Sequence, residues 1–270
     1  MKNWTISGKT RLCGLIGDPV EHSMSPAMHN AAFRKMGLDY LYISFRVKKE
    51  ELGKAIEGMR ALGIRGLNVT IPHKVAVLKF LDEIDKLAEK IGAVNTIVSN
   101  EGTLKGYNTD ASGFLQALLE RGIEPDGKRV VILGAGGASR AISFILSDKG
   151  AHLVILNRRP DGAKDLARRI QQTFGKEVVA LELNQENLAN VLGQADILVN
   201  ATSVGMSPSI SETPIDADLL KPGLVVYDIV YNPIKTRLLK EAELAGATTI
   251  GGLDMLVWQG ALAFEIWTGM

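Results

Sequence analysis

Residues 130–140 read Val-Val-Ile-Leu-Gly-Ala-Gly-Gly-Ala-Ser-Arg, and that order constrains the fold more than any other segment of the 270-residue chain. Four β-prone apolar residues suit a buried strand, the glycines force a turn, and the run to Leu146 has helical composition. Gly134 permits the tight turn and Gly136 lets backbone approach a pyrophosphate. The N–H groups at the helix start, around Ala135, Gly137 and Ala138, would hold the phosphates. This is the strand, loop and helix of a dinucleotide site. Ser139 departs from the usual third Gly or Ala but is small enough for close helix packing. The next strand ends at Asn157-Arg158-Arg159, about 20 residues beyond the loop, where an NAD enzyme places a carboxylate against the ribose hydroxyls. A guanidinium pair instead makes forked contacts to a 2′-phosphate, so NADP is expected; Asp161 close by keeps mixed NAD and NADP use open.

A chain of this length exceeds one hydrophobic core and predicts two domains. Before residue 110, strands at 12–17, 41–47, 67–71 and 94–98 alternate with helices. Ser25-Pro26 is expected to cap and start one helix that Gly37 ends, and a second helix is expected over 50–62. From Arg129 the rhythm becomes regular, with buried-type strands at 130–133, 152–156, 196–200 and 224–228. That is the pattern of βαβ units and a parallel, doubly wound sheet, so the fold class is α/β. The change of rhythm near 108–114 marks the domain boundary. The apolar tract 253–267 is broken by Asp254, Gln259 and Glu265 and reads as an amphipathic docking helix.

With 31 basic and 30 acidic residues the charge offers no field for nucleic acid or anionic lipid, so the expected partner is a small molecule. No stretch reaches the roughly 20 apolar residues that span a bilayer, and the first ten residues do not resemble a signal peptide. Cys13 is the one cysteine and the four histidines lack ligand-like spacing, so no metal site is expected and a reducing cytoplasm fits best. Composition ranks neither a monomer nor a homodimer.

Three segments carry more polar chemistry than a core needs: residues 21–26 (Glu-His-Ser-Met-Ser-Pro), residues 68–74 (Asn-Val-Thr-Ile-Pro-His-Lys), and Asn95 followed by residues 107–110 (Tyr-Asn-Thr-Asp). Together with the loop at Gly134, they resemble the shikimate dehydrogenase family along essentially the whole chain. The resemblance implies an N-terminal α/β shikimate-binding domain, closed by C-terminal helices, that faces an NADP-binding Rossmann domain across a cleft. The chain would cross twice, giving 1–109 with 238–270 as the substrate domain and 110–237 as the Rossmann domain. By similarity, Ser23, Ser25 and Thr70 hold the carboxylate and ring hydroxyls, Asn95, Asp110 and Gln259 complete the polar lining, and Tyr231 touches substrate. Lys74 and Asp110 correspond to the catalytic pair, and Ile229 and Gly252 to cofactor contacts. The loop 201–206 (Ala-Thr-Ser-Val-Gly-Met) corresponds to one near the nicotinamide. Many members read Asn-Arg-Thr with a basic residue three positions on, whereas Arg159 and Gly162 stand at those places here. This version of the turn resembles dual-specificity quinate/shikimate dehydrogenases that use NAD or NADP, the nearest alternative.

Oxidising a secondary alcohol needs a proton-transfer group opposite the nicotinamide, and Lys74 is the best candidate. Pro72 is expected to open a helix with Lys74 in its first turn, where dipole and burial act against the ammonium while Asp110 acts for it. Each residue also has a structural explanation. Asp110 could cap a helix, Asn95 could satisfy strand ends, and Gln259 could be only a polar interruption. His22, His29 and His73 are expected at the surface or in packing.

Overall fold

The computed structural model describes residues 6–270, which divide into two compact units. One unit runs up to Thr109 and regains the chain at Gln259–Met270; the other is Asp110–Trp258.

The first unit contains β1 (Arg11–Gly17), α1 (Ser25–Met36), β2 (Tyr40–Arg46), α2 (Leu52–Ala61), β3 (Gly66–Val69), β4 (Glu83–Ile84), α3 (Lys86–Ile91), β5 (Thr96–Asn100) and β6 (Thr103–Tyr107). Its mixed sheet has the order β2-β1-β3-β5-β6-β4. β1 and β3 are parallel, whereas β5 runs antiparallel to both β3 and β6. The carboxyl ends of β1, β3 and β6 therefore emerge at the same sheet edge as the amino end of β5. β2 closes the sheet on one side, and the Asn30 side chain reaches its outer rim: Nδ2 donates to the Tyr42 carbonyl and Oδ1 accepts from the Tyr42 N–H, both at 2.8 Å.

The second unit contains α4 (Thr109–Leu119), which begins at the division, then β7 (Arg129–Leu133), α5 (Gly137–Asp148), β8 (His152–Asn157), α6 (Pro160–Phe174), β9 (Val179–Glu182) and α7 (Gln185–Leu192). It continues through β10 (Ile197–Asn200), β11 (Val225–Asp228), α8 (Arg237–Leu244) and β12 (Thr248–Gly251); α9 (Gly252–Thr268) then leads back into the first unit. All six strands are parallel, in the order β12-β11-β10-β7-β8-β9. The strand order reverses between β7 and β10, the switch point at which open α/β sheets bind ligands.

Expected strands form within two residues of their predicted places, α1 ends at a left-handed Gly37, and the tract 253–267 forms α9. Two expectations shift. The return to the first unit falls at Gln259 rather than at residue 238, because β12 pairs with β11 and α8 buries Leu238, Leu239 and Ala242 in the apolar core of the second unit. Ser25 does not cap α1: the Met28 N–H closes on the Met24 carbonyl one residue earlier, and the Ser23 hydroxyl accepts from the Ser25 N–H.

The C-terminal end of α9 is anchored in the first unit. Trp267 is fully buried among Tyr42, Phe33 and Ala263, and its Nε1–H donates to the Ile97 carbonyl at 3.0 Å. The indole lies over Gly66, where an added Cβ would sit 2.1 Å from Nε1. Gly66→Ala is expected to destabilise by about 1–3 kcal/mol through overpacking alone, read as a lower thermal midpoint. An unchanged midpoint would show that the indole yields freely. Cys13 is buried in the same cluster, and burial pushes its thiol up to about 12, leaving it an apolar filler. Among the described residues, no helix is long and apolar enough to cross a membrane.

Candidate active site

In the first unit the candidate residues rise from one edge of the sheet. Ser23 and Ser25 follow β1, Thr70 and Lys74 follow β3, Asn95 precedes β5, and Thr109 follows β6. Backbone pairing ties these segments together. Val69 donates to the Asn95 carbonyl at 2.8 Å, Asn95 donates to the Tyr107 carbonyl at 3.0 Å, and Val94 donates to the Lys74 carbonyl at 2.8 Å. Gly17 lets the first loop pass Thr70, since a Cβ there would lie 2.3 Å from the threonine methyl.

Lys74 does not begin a helix. Its carbonyl is taken by Val94 from the neighbouring segment, and the 3₁₀ turn starts later, at Ala76–Phe80. The expected helix-dipole effect on its ammonium therefore does not arise. The adjacent His73 ring is buried, with Nε2 2.7 Å from the Val47 carbonyl, and His29 is buried between aromatic rings; both serve packing. His22 is exposed.

Around Asn95 lies a buried polar chain that sequence reasoning missed. The Tyr42 hydroxyl donates to Asn68 Oδ1 at 2.6 Å, Asn68 Nδ2 donates to Thr96 Oγ1 at 3.1 Å, and Thr96 Oγ1 donates to Asn95 Oδ1 at 3.1 Å. The Thr109 N–H also donates to Asn95 Oδ1, at 2.7 Å, while Asn95 Nδ2 donates to Thr109 Oγ1 at 3.0 Å. With so many donors on Oδ1, the Asn95 amide has one orientation. The available signal was Asn68, an amide inside an otherwise apolar strand. Gln259 is buried on α9, next to Gly260, which packs beside Met28 and His29 of α1.

In the second unit the cofactor candidates line the carboxyl edge of the parallel sheet. Gly134 has φ 106°, and its missing side chain faces the Ala201 carbonyl across the switch point. Gly136 is the N-cap of α5, and an added Cβ there meets nothing within 4 Å, so its backbone is open to a ligand. Ser139 does more than stay small: its hydroxyl donates to the Gly134 carbonyl at 2.6 Å and pins the loop. Asn157 ends β8 and donates to the Arg159 carbonyl, while Arg158 and Arg159 are exposed. Gly162 packs against Asn157 and Ala135; a Cβ there would lie 3.0 Å from Asn157 Nδ2. Ile229 follows β11, and a Cβ on Gly252 would meet its carbonyl oxygen at 2.2 Å, so this glycine is sterically required. Tyr231 lies two residues on, and Asp110 is buried in the first turn of α4. By the division of the chain, Lys74 belongs to the first unit and Asp110 and Tyr231 to the second.

A doubly wound parallel sheet with a glycine loop at its switch point, joined to a second α/β unit with a polar sheet edge, defines a two-domain nicotinamide-dependent dehydrogenase. Residues 15–97 match the shikimate dehydrogenase substrate binding domain, residues 118–229 the shikimate / quinate 5-dehydrogenase model, and residues 252–270 the shikimate 5'-dehydrogenase C-terminal domain. The chain belongs to the shikimate dehydrogenase family. It is 52% identical to the shikimate dehydrogenase (NADP(+)) of Methanopyrus kandleri over 98% of this chain and 92% of that protein. Among solved structures, a shikimate dehydrogenase in complex with NADP+ is 49% identical with TM-score 0.92, covering 98% of this chain and 92% of that one. A shikimate 5-dehydrogenase from Listeria monocytogenes in complex with shikimate and NAD is 44% identical with TM-score 0.88, covering 98% and 94%.

Proposed function

We infer that the chain catalyses the reversible NADP-dependent reduction of 3-dehydroshikimate to shikimate, a step of aromatic amino acid biosynthesis, in the cytoplasm. The observation that carries the reading is the end of β8, where Asn157, Arg158 and Arg159 stand beside the open Gly136 loop and no carboxylate occupies the ribose-hydroxyl position. The site fits NADP: backbone over residues 134–138 would hold the pyrophosphate, Arg158 and Arg159 the 2′-phosphate, and Ile229 and Gly252 the nicotinamide end. When bound, the cofactor supplies or accepts the hydride.

The chain's own residues do the rest. Ser23, Ser25 and Thr70 bind the carboxylate and ring hydroxyls, and the fixed Asn95 amide, Gln259 and Tyr231 orient the ring. Lys74 transfers the proton at the reacting hydroxyl, and Asp110 is the second member of the catalytic pair. The second reading, a quinate/shikimate dehydrogenase with relaxed cofactor choice, is favoured by Asp161 in the first turn of α6. Nicotinamide reduction followed with shikimate or quinate and NADP or NAD, in all four combinations, decides between them. The fastest turnover is expected with shikimate and NADP. Comparable rates with quinate or NAD would move the assignment to the second reading, and folded protein silent in all four would overturn both.

A further inference from the structure

Leu133, Asn200, Asp228 and Gly251 share one row of the parallel sheet, at its carboxyl edge. Asp228 is fully buried there and accepts three hydrogen bonds from three different segments. Asn200 Nδ2 donates to Oδ1 at 3.0 Å, the Val230 N–H donates to Oδ1 at 3.1 Å, and Thr236 Oγ1 donates to Oδ2 at 2.6 Å. Each donor also holds something else. Asn200 takes the Thr202 N–H and hydroxyl on its Oδ1 and donates to the Val204 carbonyl, shaping the loop after β10. Thr236 caps α8 by accepting from the Leu239 N–H. Val230 follows Ile229, whose N–H is bound by the Asn200 carbonyl and whose carbonyl is crowded by Gly252. The two loops meet again where the Ser207 N–H donates to the Asn232 carbonyl at 2.9 Å.

A fully buried carboxylate is a poor way to gain stability, since apolar residues of similar volume often serve a core as well. What it does supply is acceptors in a fixed geometry for donors from three segments at once. We propose that Asp228 is a positioning residue for the cofactor: it sets the relative placement of loops 201–206 and 229–233 on which the nicotinamide end is held. The inference rests on the reading of this edge as an NADP site and not on the identity of the substrate.

The test uses Asp228→Asn and Thr236→Val in the full chain, with the NADP dissociation constant measured by calorimetry on NADP alone, and KM for NADP and for shikimate measured separately. NADP affinity is expected to fall about tenfold in each folded variant, as for a sub-ångström misplacement of a binding element, with the shikimate KM within about twofold of wild type. A purely structural role would lower the thermal midpoint and move neither or both constants. NADP affinity within twofold of wild type in either folded variant overturns the proposal, and Thr236→Val decides if Asp228→Asn does not fold. Wild-type chain that binds NADP but reduces nothing would sink the substrate assignment while leaving the affinity ratios readable.

Discussion

Alanine at Lys74 is expected to cut kcat by about 10²–10⁴-fold, the usual weight of a positioned general acid or base, with little change in the shikimate KM. Reducing a ketone with hydride leaves an alkoxide that must be protonated. Of the residues assigned to substrate in the first unit, Ser23, Ser25, Thr70, Asn95 and Gln259 offer hydroxyls or amides, whereas Lys74 carries an amine, the one group of the set that acts as a general acid or base in its ordinary chemistry. His73, the neighbouring imidazole, is turned toward the Val47 carbonyl. The fold of the variant is protected, because Lys74 is held by its main chain through the Val94 N–H, which alanine keeps. The loss should therefore appear in turnover rather than in unfolding. An unchanged turnover number would remove Lys74 from the chemistry.

The second large effect is on stability, where two buried groups pull in opposite directions as pH falls. His29 lies between Tyr42, Phe33 and Trp267, and burial holds it down to about 4. Between its unfolded value near 6.5 and that figure the unfolded chain binds the extra proton, so acidification destabilises the fold by up to about 3 kcal/mol. Asp228 is opposite. Burial pushes it up to about 6, against the hydrogen bonds from Thr236, Val230 and Asn200. Between about 6 and its unfolded value near 3.9 the folded chain binds the extra proton, so acidification stabilises by up to about 3 kcal/mol. The two contributions nearly cancel in the whole molecule but sit in different units. Unfolding free energy measured from pH 7 to 5 is expected to fall less steeply in His29→Phe than in wild type, and more steeply in Asp228→Asn. Parallel curves for all three proteins would show that neither group titrates as its surroundings imply.

The second unit was the more legible one. Buried parallel strands read as unbroken apolar runs, and a dinucleotide loop carries its function in local sequence, so β7, β8, β10 and β11 and the glycine turn could be found without tertiary information. The first unit was harder because its site is assembled from side chains distant in sequence. The chain Tyr42, Asn68, Thr96 and Asn95 exists only once β2, β1, β3 and β5 are assembled into one sheet, with Tyr42 reaching Asn68 across β1. β9 and β12 were missed because each is four residues long and half exposed. β6 carried a signal that went unused: Glu101 and Gly102, both at positive φ, make the two-residue turn of a β5–β6 hairpin. At Pro72 a local rule misled, since a helix start was expected where the Val94 N–H, from the segment before β5, takes the Lys74 carbonyl.

The side-chain amide of Asn30 on the rim of β2 bears on how the protein behaves in a crowded solution. Among the described residues four strands end the two sheets: β4 has two residues and β9 and β12 four each, too short to template much pairing, whereas β2 has seven. A long open rim invites a foreign strand to zip on, with aggregation or domain exchange as the outcome. By presenting one acceptor and one donor to Tyr42 on that rim, Asn30 mimics the next strand for a single position and leaves an incoming chain no continuous ladder to extend.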